Sequence, residues 1–268
     1  MVRIVVPIKQ VPDMERVKFD SEKGTVDRTS APGEINPFDL NALEAAVQIK
    51  EKVGATVTTI SMGPPQAEAA VRDALSRGAD RGILLVDRAF AGADTWATSY
   101  TLAIAIQTLG QTDLIVCGEK TVDGDTGQVG PEIAEWLDMP HVAYVSEIRN
   151  VGEEVVVVCD MGGDRYVMGS RFPLLITVTK DINTPRLPSF SDKLKARKAE
   201  IERLTAEELS AVADASRFGL KGSPTRLNKV MVPSEEGRKG EIFRGDPGEA
   251  TVRLANALVE GGLLENIE

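Results

Sequence analysis

Two cysteines and a single histidine in 268 residues leave this chain little material for a disulfide framework or a metal site. Cys117 lies in an apolar run where it reads as a small core filler, and with Cys159 as its only companion the expected compartment is a reducing cytoplasm. His141 has no cysteine or second histidine near it in sequence, so no metal ligand set is assigned. Long apolar runs are missing too. The opening Met1-Val-Arg-Ile-Val-Val-Pro-Ile-Lys9 regains charge too soon for a signal segment or a membrane span, and reads as a buried first strand. Basic residues are outnumbered, 31 against 41 acidic, and the net charge of −10 argues against nucleic acid as a partner, since phosphate binding needs a basic footprint. There is no Gly-x-Ser-x-Gly elbow, no cysteine–histidine nucleophile pair and no recognisable carboxylate dyad, so no catalytic side chain is assigned.

What is present is an ordinary globular composition, 42% hydrophobic and 27% charged, patterned as alternating strands and helices. Apolar runs at 3–8, 56–61, 82–86, 113–117 and 142–145 predict strands, each bounded by Gly, Pro, Asp or Asn. Helices are predicted from Pro37 to near Gly54 with Asn36 as cap, from Pro64-Pro65 to Gly78, from Asp94 to about Leu109, and after a polar loop with Asp125 or Thr126 as cap. The expected fold is α/β with a mainly parallel, doubly wound sheet. Short runs at 154–159, 165–168 and 174–179 with a Gly162-Gly163 turn predict an antiparallel hairpin added to it. From residue 181 onward scattered prolines and charges replace apolar periodicity. The chain therefore divides into a nucleotide-binding α/β domain over 1–180 and a partner-wrapping C-terminal extension over 181–268.

The segment Cys117-Gly-Glu-Lys-Thr-Val-Asp-Gly-Asp-Thr-Gly-Gln-Val-Gly-Pro131 carries the most chemistry. An apolar strand, a glycine-rich polar loop and a helix start in that order aim backbone N–H groups at a phosphate. Gly118, Gly124, Gly127 and Gly130 permit close approach, while Thr126 and Gln128 offer neutral hydrogen-bonding groups. It is neither a Walker A loop nor Gly-x-Gly-x-x-Gly, and a plain tight crossover remains the alternative. Asp123 and Asp125 suit orientation of the loop better than contact with phosphate. A second polar helix start, Gly92-Ala-Asp-Thr-Trp-Ala-Thr-Ser99, emerges at the same sheet edge; a small-residue packing face is its equally good alternative. Lys9 reads either as a phosphate contact or as a solvated surface lysine. The basic cluster Lys193, Lys195, Arg197 and Lys198 reads as a solvated helix face or a docking element.

Val5-Val-Pro-Ile-Lys-Gln-Val-Pro-Asp13, Asn36-Pro-Phe-Asp-Leu-Asn-Ala-Leu-Glu44, Ser61-Met-Gly-Pro64, Gly78-Ala-Asp-Arg81, the loop to Pro131 and Pro185-Arg-Leu-Pro188 together resemble the β subunit of electron transfer flavoprotein. The resemblance runs from the N-terminus to about Lys198. It implies a fold related to adenine-nucleotide hydrolases and a heterodimer with an α subunit that holds one FAD. It further implies an adenine nucleotide in this chain, AMP in ordinary members and a second FAD in the electron-bifurcating branch. Gly92–Thr98 and Asp123–Pro131 resemble that branch, which favours FAD over AMP, electrons drawn from NADH, and ferredoxin and a dehydrogenase as further partners. Carried over by the resemblance, nucleotide contacts fall on Pro7, Asn36, Asp39, Met62, Gly118, Asp123, Gly124, Asp125, Thr126, Gly127, Gln128 and Val129, with Asp94, Thr95, Ala97 and Thr98 along the flavin. Dehydrogenase recognition falls on the Pro185–Arg197 segment, through Pro185, Arg186, Leu187, Leu194, Lys195 and Arg197. Glu119-Lys-Thr-Val departs from the family's usual Lys-Gln-Ala-Ile, shifting the loop lysine by one position, and Ser191-Asp-Lys-Leu departs from common versions of the recognition loop.

Overall fold

Alternation along the first strand sets the architecture. In a computed structural model that describes residues 1–13, 18–20, 25–27, 33–226 and 240–264, β1 (Arg3–Pro7) turns Ile4 and Val6 to one face of a sheet and Val5 to the other. Both faces are apolar, so both must be covered by helices. The remaining strands of this sheet are β2 (Thr56–Met62), β3 (Arg81–Leu85), β4 (Leu114–Gly118), β5 (His141–Val151), β6 (Val155–Asp160), β7 (Arg165–Ser170), β8 (Leu174–Val178) and β9 (Glu202–Leu204). They lie in the order β7-β6-β5-β8-β4-β1-β2-β3-β9. From β5 to β9 every neighbouring pair is parallel, and only β6 pairs antiparallel, with β5 and β7.

Helix α1 (Pro37–Val53) packs on the face formed by Ile4, Val6, Val57, Leu114, Val116 and Ile176, through Ala42, Ala46, Val47 and Ile49. Helix α2 (Glu68–Ser76) shares that face through Ala70 and Ala74, and is entered by a 3-10 turn at Pro65–Ala67. On the other face, α3 (Thr95–Thr108) and α4 (Val129–Trp136) cover Val5, Ile60, Ile83, Leu85 and Ile115. Gly54, at φ 71°, ends α1 in the left-handed region that a side chain would strain. Because the chain leaves β1 toward β2 but passes from β3 back across to β4, the strand order reverses between β1 and β4. Ligand crevices of doubly wound sheets open at such a point, beyond the carboxyl ends of the strands.

The expected boundary at residue 180 falls inside a compact unit that spans Met1–Lys229; Val230–Glu268 form a second unit. Residues 181–226 are joined to the rest of this unit at many points, among them a strand, a buried aromatic and an ion-pair clamp. β9 extends the sheet beside β3, and Phe218 is buried with Phe90 and Tyr100 on the α3 side. Arg186 is clamped by Glu44 at 2.8 Å and Glu51 at 2.6 Å on α1. Burial of Glu44 raises its carboxyl, but its bonds to Arg186 and Gln48 outweigh this and hold it below the usual range, while Glu51 and Glu44 push the guanidinium further up. Arg186→Ala leaves a carboxylate that is only 6% exposed without its cation. The expected loss is about 2 kcal/mol, discounted for the half-exposed arginine, with faster proteolysis around 181–190 while α1 stays protected; unchanged cleavage would refute the clamp. Within the second unit, Asp246 caps the helix Pro247–Glu260, and Val252 and Leu254 are exposed. Residues 227–239 and 265–268 of the expected arm lie outside the described residues.

Candidate nucleotide site

The reversal between β1 and β4 brings the loop after Pro7 against the loop after Gly118, and buried polar side chains from α1 join them. Asn36 is fully buried, and its amide donates to Lys120 O at 2.8 Å and accepts from Val122 N at 3.1 Å. It therefore makes no side-chain cap to α1, contrary to the expectation from sequence, because its amide is spent on the neighbouring loop. Asp39, one turn on, accepts from Lys9 N at 2.8 Å and from the Gly118 N–H. Burial pushes its carboxyl up to about 7, against the pull of those N–H groups, Asn36 and the Lys9 charge. Pro7, the last residue of β1, is buried beside this junction, and Met62 ends β2 half-buried on the α3 side.

Lys9 reaches across the reversal to Asp123, 2.7 Å away, while its side chain stays 45% exposed, so its charge is shared between the aspartate and solvent. Lys120 pairs with Asp125 at 2.8 Å and lies over the Phe38 ring, 5.8 Å from its centroid. Each loop aspartate thus carries a lysine, which removes the repulsion that bare carboxylates would present to an anion. Asp125 (φ 52°) and Gly127 (φ 65°) turn the chain twice through the left-handed region, which delays α4 until Val129. Neither Asp125 nor Thr126 is its cap. Gln128 occupies that position without a side-chain cap bond, which leaves the half-buried Val129 N–H as the first-turn donor for an outside acceptor, since Gly130 is buried and Pro131 has no N–H. Gly124, Asp125, Thr126 and Gln128 are exposed. Gly118 and Gly130 are required by packing, since a Cβ at Gly118 would lie 2.4 Å from Asp39 Oδ1 and one at Gly130 2.6 Å from Thr177 Cγ2.

The start of α3 stands beside that of α4. Asp94 caps it by accepting from Ala97 N at 3.0 Å, and its other oxygen accepts from the Thr225 N–H and hydroxyl. Burial raises the Asp94 carboxyl, and these donors bring it below its ordinary range. Asp94 is thereby an anchor, and Ala97 lies fully buried behind the site with its N–H taken. Thr95 and Thr98 remain partly accessible, and the Thr95 hydroxyl lies 3.2 Å from Gln128 Oε1 and 3.1 Å from Glu132 Oε1. Glu132 is not legible as a site residue in the sequence, where nothing signals that a glutamate on α4 meets a threonine 37 residues earlier. Trp96 and Trp136 stack just behind, with ring centroids 4.3 Å apart.

The segment carried over for partner recognition is elsewhere. It runs into α5 (Phe190–Lys198), which packs against α2. Arg186 is spent on α1 and Pro185 is half-buried, whereas Leu187 (88% exposed), Phe190 (78%) and Leu194 (41%) form an open apolar strip beside exposed Lys195 and Arg197. Among the described residues no helix is long and apolar enough to cross a membrane.

The pattern of the electron transfer flavoprotein domain matches residues 23–209. The chain is 46% identical over 256 residues to an electron transfer flavoprotein subunit beta of Thermoanaerobacterium thermosaccharolyticum, covering 95% of this chain and 97% of that one. It is 42% identical over 246 residues to the protein FixA of Azorhizobium caulinodans, covering 89% and 87%. It is also 42% identical over 244 residues to the caffeyl-CoA reductase-Etf complex subunit CarD of Acetobacterium woodii, covering 91% and 92%.

Proposed function

Since this chain belongs to the electron transfer flavoprotein family, we propose that it is the β-type subunit of a two-subunit electron carrier and holds FAD at the sheet reversal. The observation that carries the reading is the uncapped start of α4 beside that of α3, above a loop whose acidic side chains are neutralised by lysines. A dinucleotide fits this set: main-chain N–H groups of 126–129 for its diphosphate, and the Thr95 and Thr98 hydroxyls for the part beyond the adenosine. Asn36 and Asp39 hold the loop to the sheet rather than meet the ligand themselves. FAD supplies the redox chemistry when bound. The chain binds and orients it, and excludes water where α3 and α4 meet.

The name of the Acetobacterium relative, an Etf complex with a reductase, supports a dehydrogenase-type partner docked on the open strip at 187–194, and the resemblance at Gly92–Thr98 and Asp123–Pro131 supports the bifurcating reading, with NADH as donor and ferredoxin as one acceptor. AMP held for structure is the second reading, favoured by how fully the adenosine end, around Asn36 and Asp39, is built. Cofactor extraction from the purified two-subunit complex separates them. Two FAD per complex is the expected result; one FAD with one AMP would end the bifurcating reading.

A further inference from the structure

Thr95 carries one hydroxyl proton and is offered two acceptors, Glu132 Oε1 at 3.1 Å and Gln128 Oε1 at 3.2 Å. The second carboxyl oxygen of Glu132 is buried and has no hydrogen-bond partner among the described residues. An ionised carboxylate in that position leaves a buried charge half-satisfied and takes the Thr95 proton inward. A neutral acid reverses the chain of donors: Glu132 donates to Thr95, and the threonine proton is released toward Gln128 or toward a ligand. Resting on the nucleotide reading of this site, we propose that Glu132 is a positioning residue which sets whether Thr95 offers a donor, or only an acceptor, to an oxygen of the bound dinucleotide.

The surroundings shift the balance toward the neutral acid. Burial raises the Glu132 carboxyl above its usual range and the Asp94 charge adds to this, while the Thr95 bond and the nearby Ser99 hydroxyl only partly offset it. Among the described residues nothing cationic offsets the effect at close range. On the α3 side the neighbours are Asp94, Thr95 and Ser99, and Tyr100 and Arg217 lie along the Trp136 ring farther down α4, with Arg217 also beside Asp214. From β8, Leu175 and Thr177 face α4 and are uncharged. His141 begins β5 at the opposite end of the strands. Phosphate and carbonyl oxygens need a donor, so affinity should fall as pH rises through the Glu132 titration. Glutamine at 132 keeps an N–H directed at Thr95 at every pH and imitates the neutral acid.

FAD binding to the full chain by equilibrium dialysis, from pH 5.5 to 8.5, tests the inference. The unmodified chain is expected to lose about tenfold in affinity across the titration, the worth of one hydrogen bond. Glu132→Gln should lose the Glu132 part of that slope and keep only what Asp39, also raised into this window, contributes, and Thr95→Ala should be weak with the same residual slope. FAD binding with the same pH slope in the chain and in Glu132→Gln would overturn the role of Glu132 while leaving the site reading intact. A chain that bound no FAD at any pH would overturn the site reading and this inference with it. Infrared difference spectra give a readout free of ligand: a protonated-carboxyl band persisting above the ordinary glutamate range and absent from Glu132→Gln is expected, and its absence from the unmodified chain would refute the proposal.

Discussion

Replacing Asn36 with alanine is expected to cost about 2–4 kcal/mol and to empty the proposed nucleotide site, because this side chain braces the loop. The amide is fully buried and answers one donor and one acceptor of a loop 84 and 86 positions away, and it also hydrogen-bonds Asp39. Alanine leaves the Lys120 carbonyl and the Val122 N–H facing an apolar gap, and each part-buried orphan costs on the order of 1–2 kcal/mol. The loop's remaining ties, Lys9 with Asp123 and Lys120 with Asp125, are partly exposed ion pairs of little net worth. Asn36→Asp should be no milder, since it sets a second carboxylate beside the buried Asp39. Denaturant titration and the nucleotide retained on purification are the measurements. Full retention of nucleotide by the alanine variant would show that the loop is held by something other than this amide.

Gly118→Ala should destabilise the chain by about 3 kcal/mol or more. A Cβ at this position would lie 2.4 Å from Asp39 Oδ1 and 2.7 Å from the Phe38 carbonyl carbon, and neither can retreat. Phe38 is backbone in the first turn of α1, and Asp39 is fixed by the Lys9 N–H. The substitution therefore pushes α1 from β4 at the reversal itself. By the usual scaling the melting temperature should drop by roughly 6–12 °C. Gly152→Ala, whose nearest neighbour would be Asn150 Nδ2 at 3.7 Å, is the matched control and should be near neutral. A Gly118→Ala melting temperature within about 2 °C of the unmodified chain would mean that the close approach is not rigid.

These two residues also mark how far sequence reaches. Asn36 before Pro37 is legible as a helix boundary, and the boundary is right. Its side chain goes to a loop that only the fold brings near, so the cap expected from local pattern does not form. The same limit explains α4: a cap at Asp125 or Thr126 follows from residue type, but two left-handed residues turn the chain before the helix can begin. Strands β1 to β4 and the helices that follow β1 and β3 are legible because their apolar periodicity is strong and their ends are marked by Gly, Pro or Asp. The 181–226 segment reads from sequence as a partner-wrapping extension because its attachments are scattered: a three-residue strand, isolated buried residues such as Ala196, Leu209 and Phe218, and the arginine clamp, none of which creates a period. Glu132 is invisible for a related reason, since its meaning lies in a partner on another helix.

The chain has only two tryptophans, and both stand in the stack immediately behind Thr95 and Glu132. Trp136 donates its indole N–H to Ser99 at 3.2 Å, and Trp96 remains 39% exposed. Nature has in effect installed an optical gauge at the junction of the two helices. Intrinsic emission from the unlabelled chain reports the spacing and wetting of that junction and little else, so filling, protonation or loosening there can each be followed by light alone.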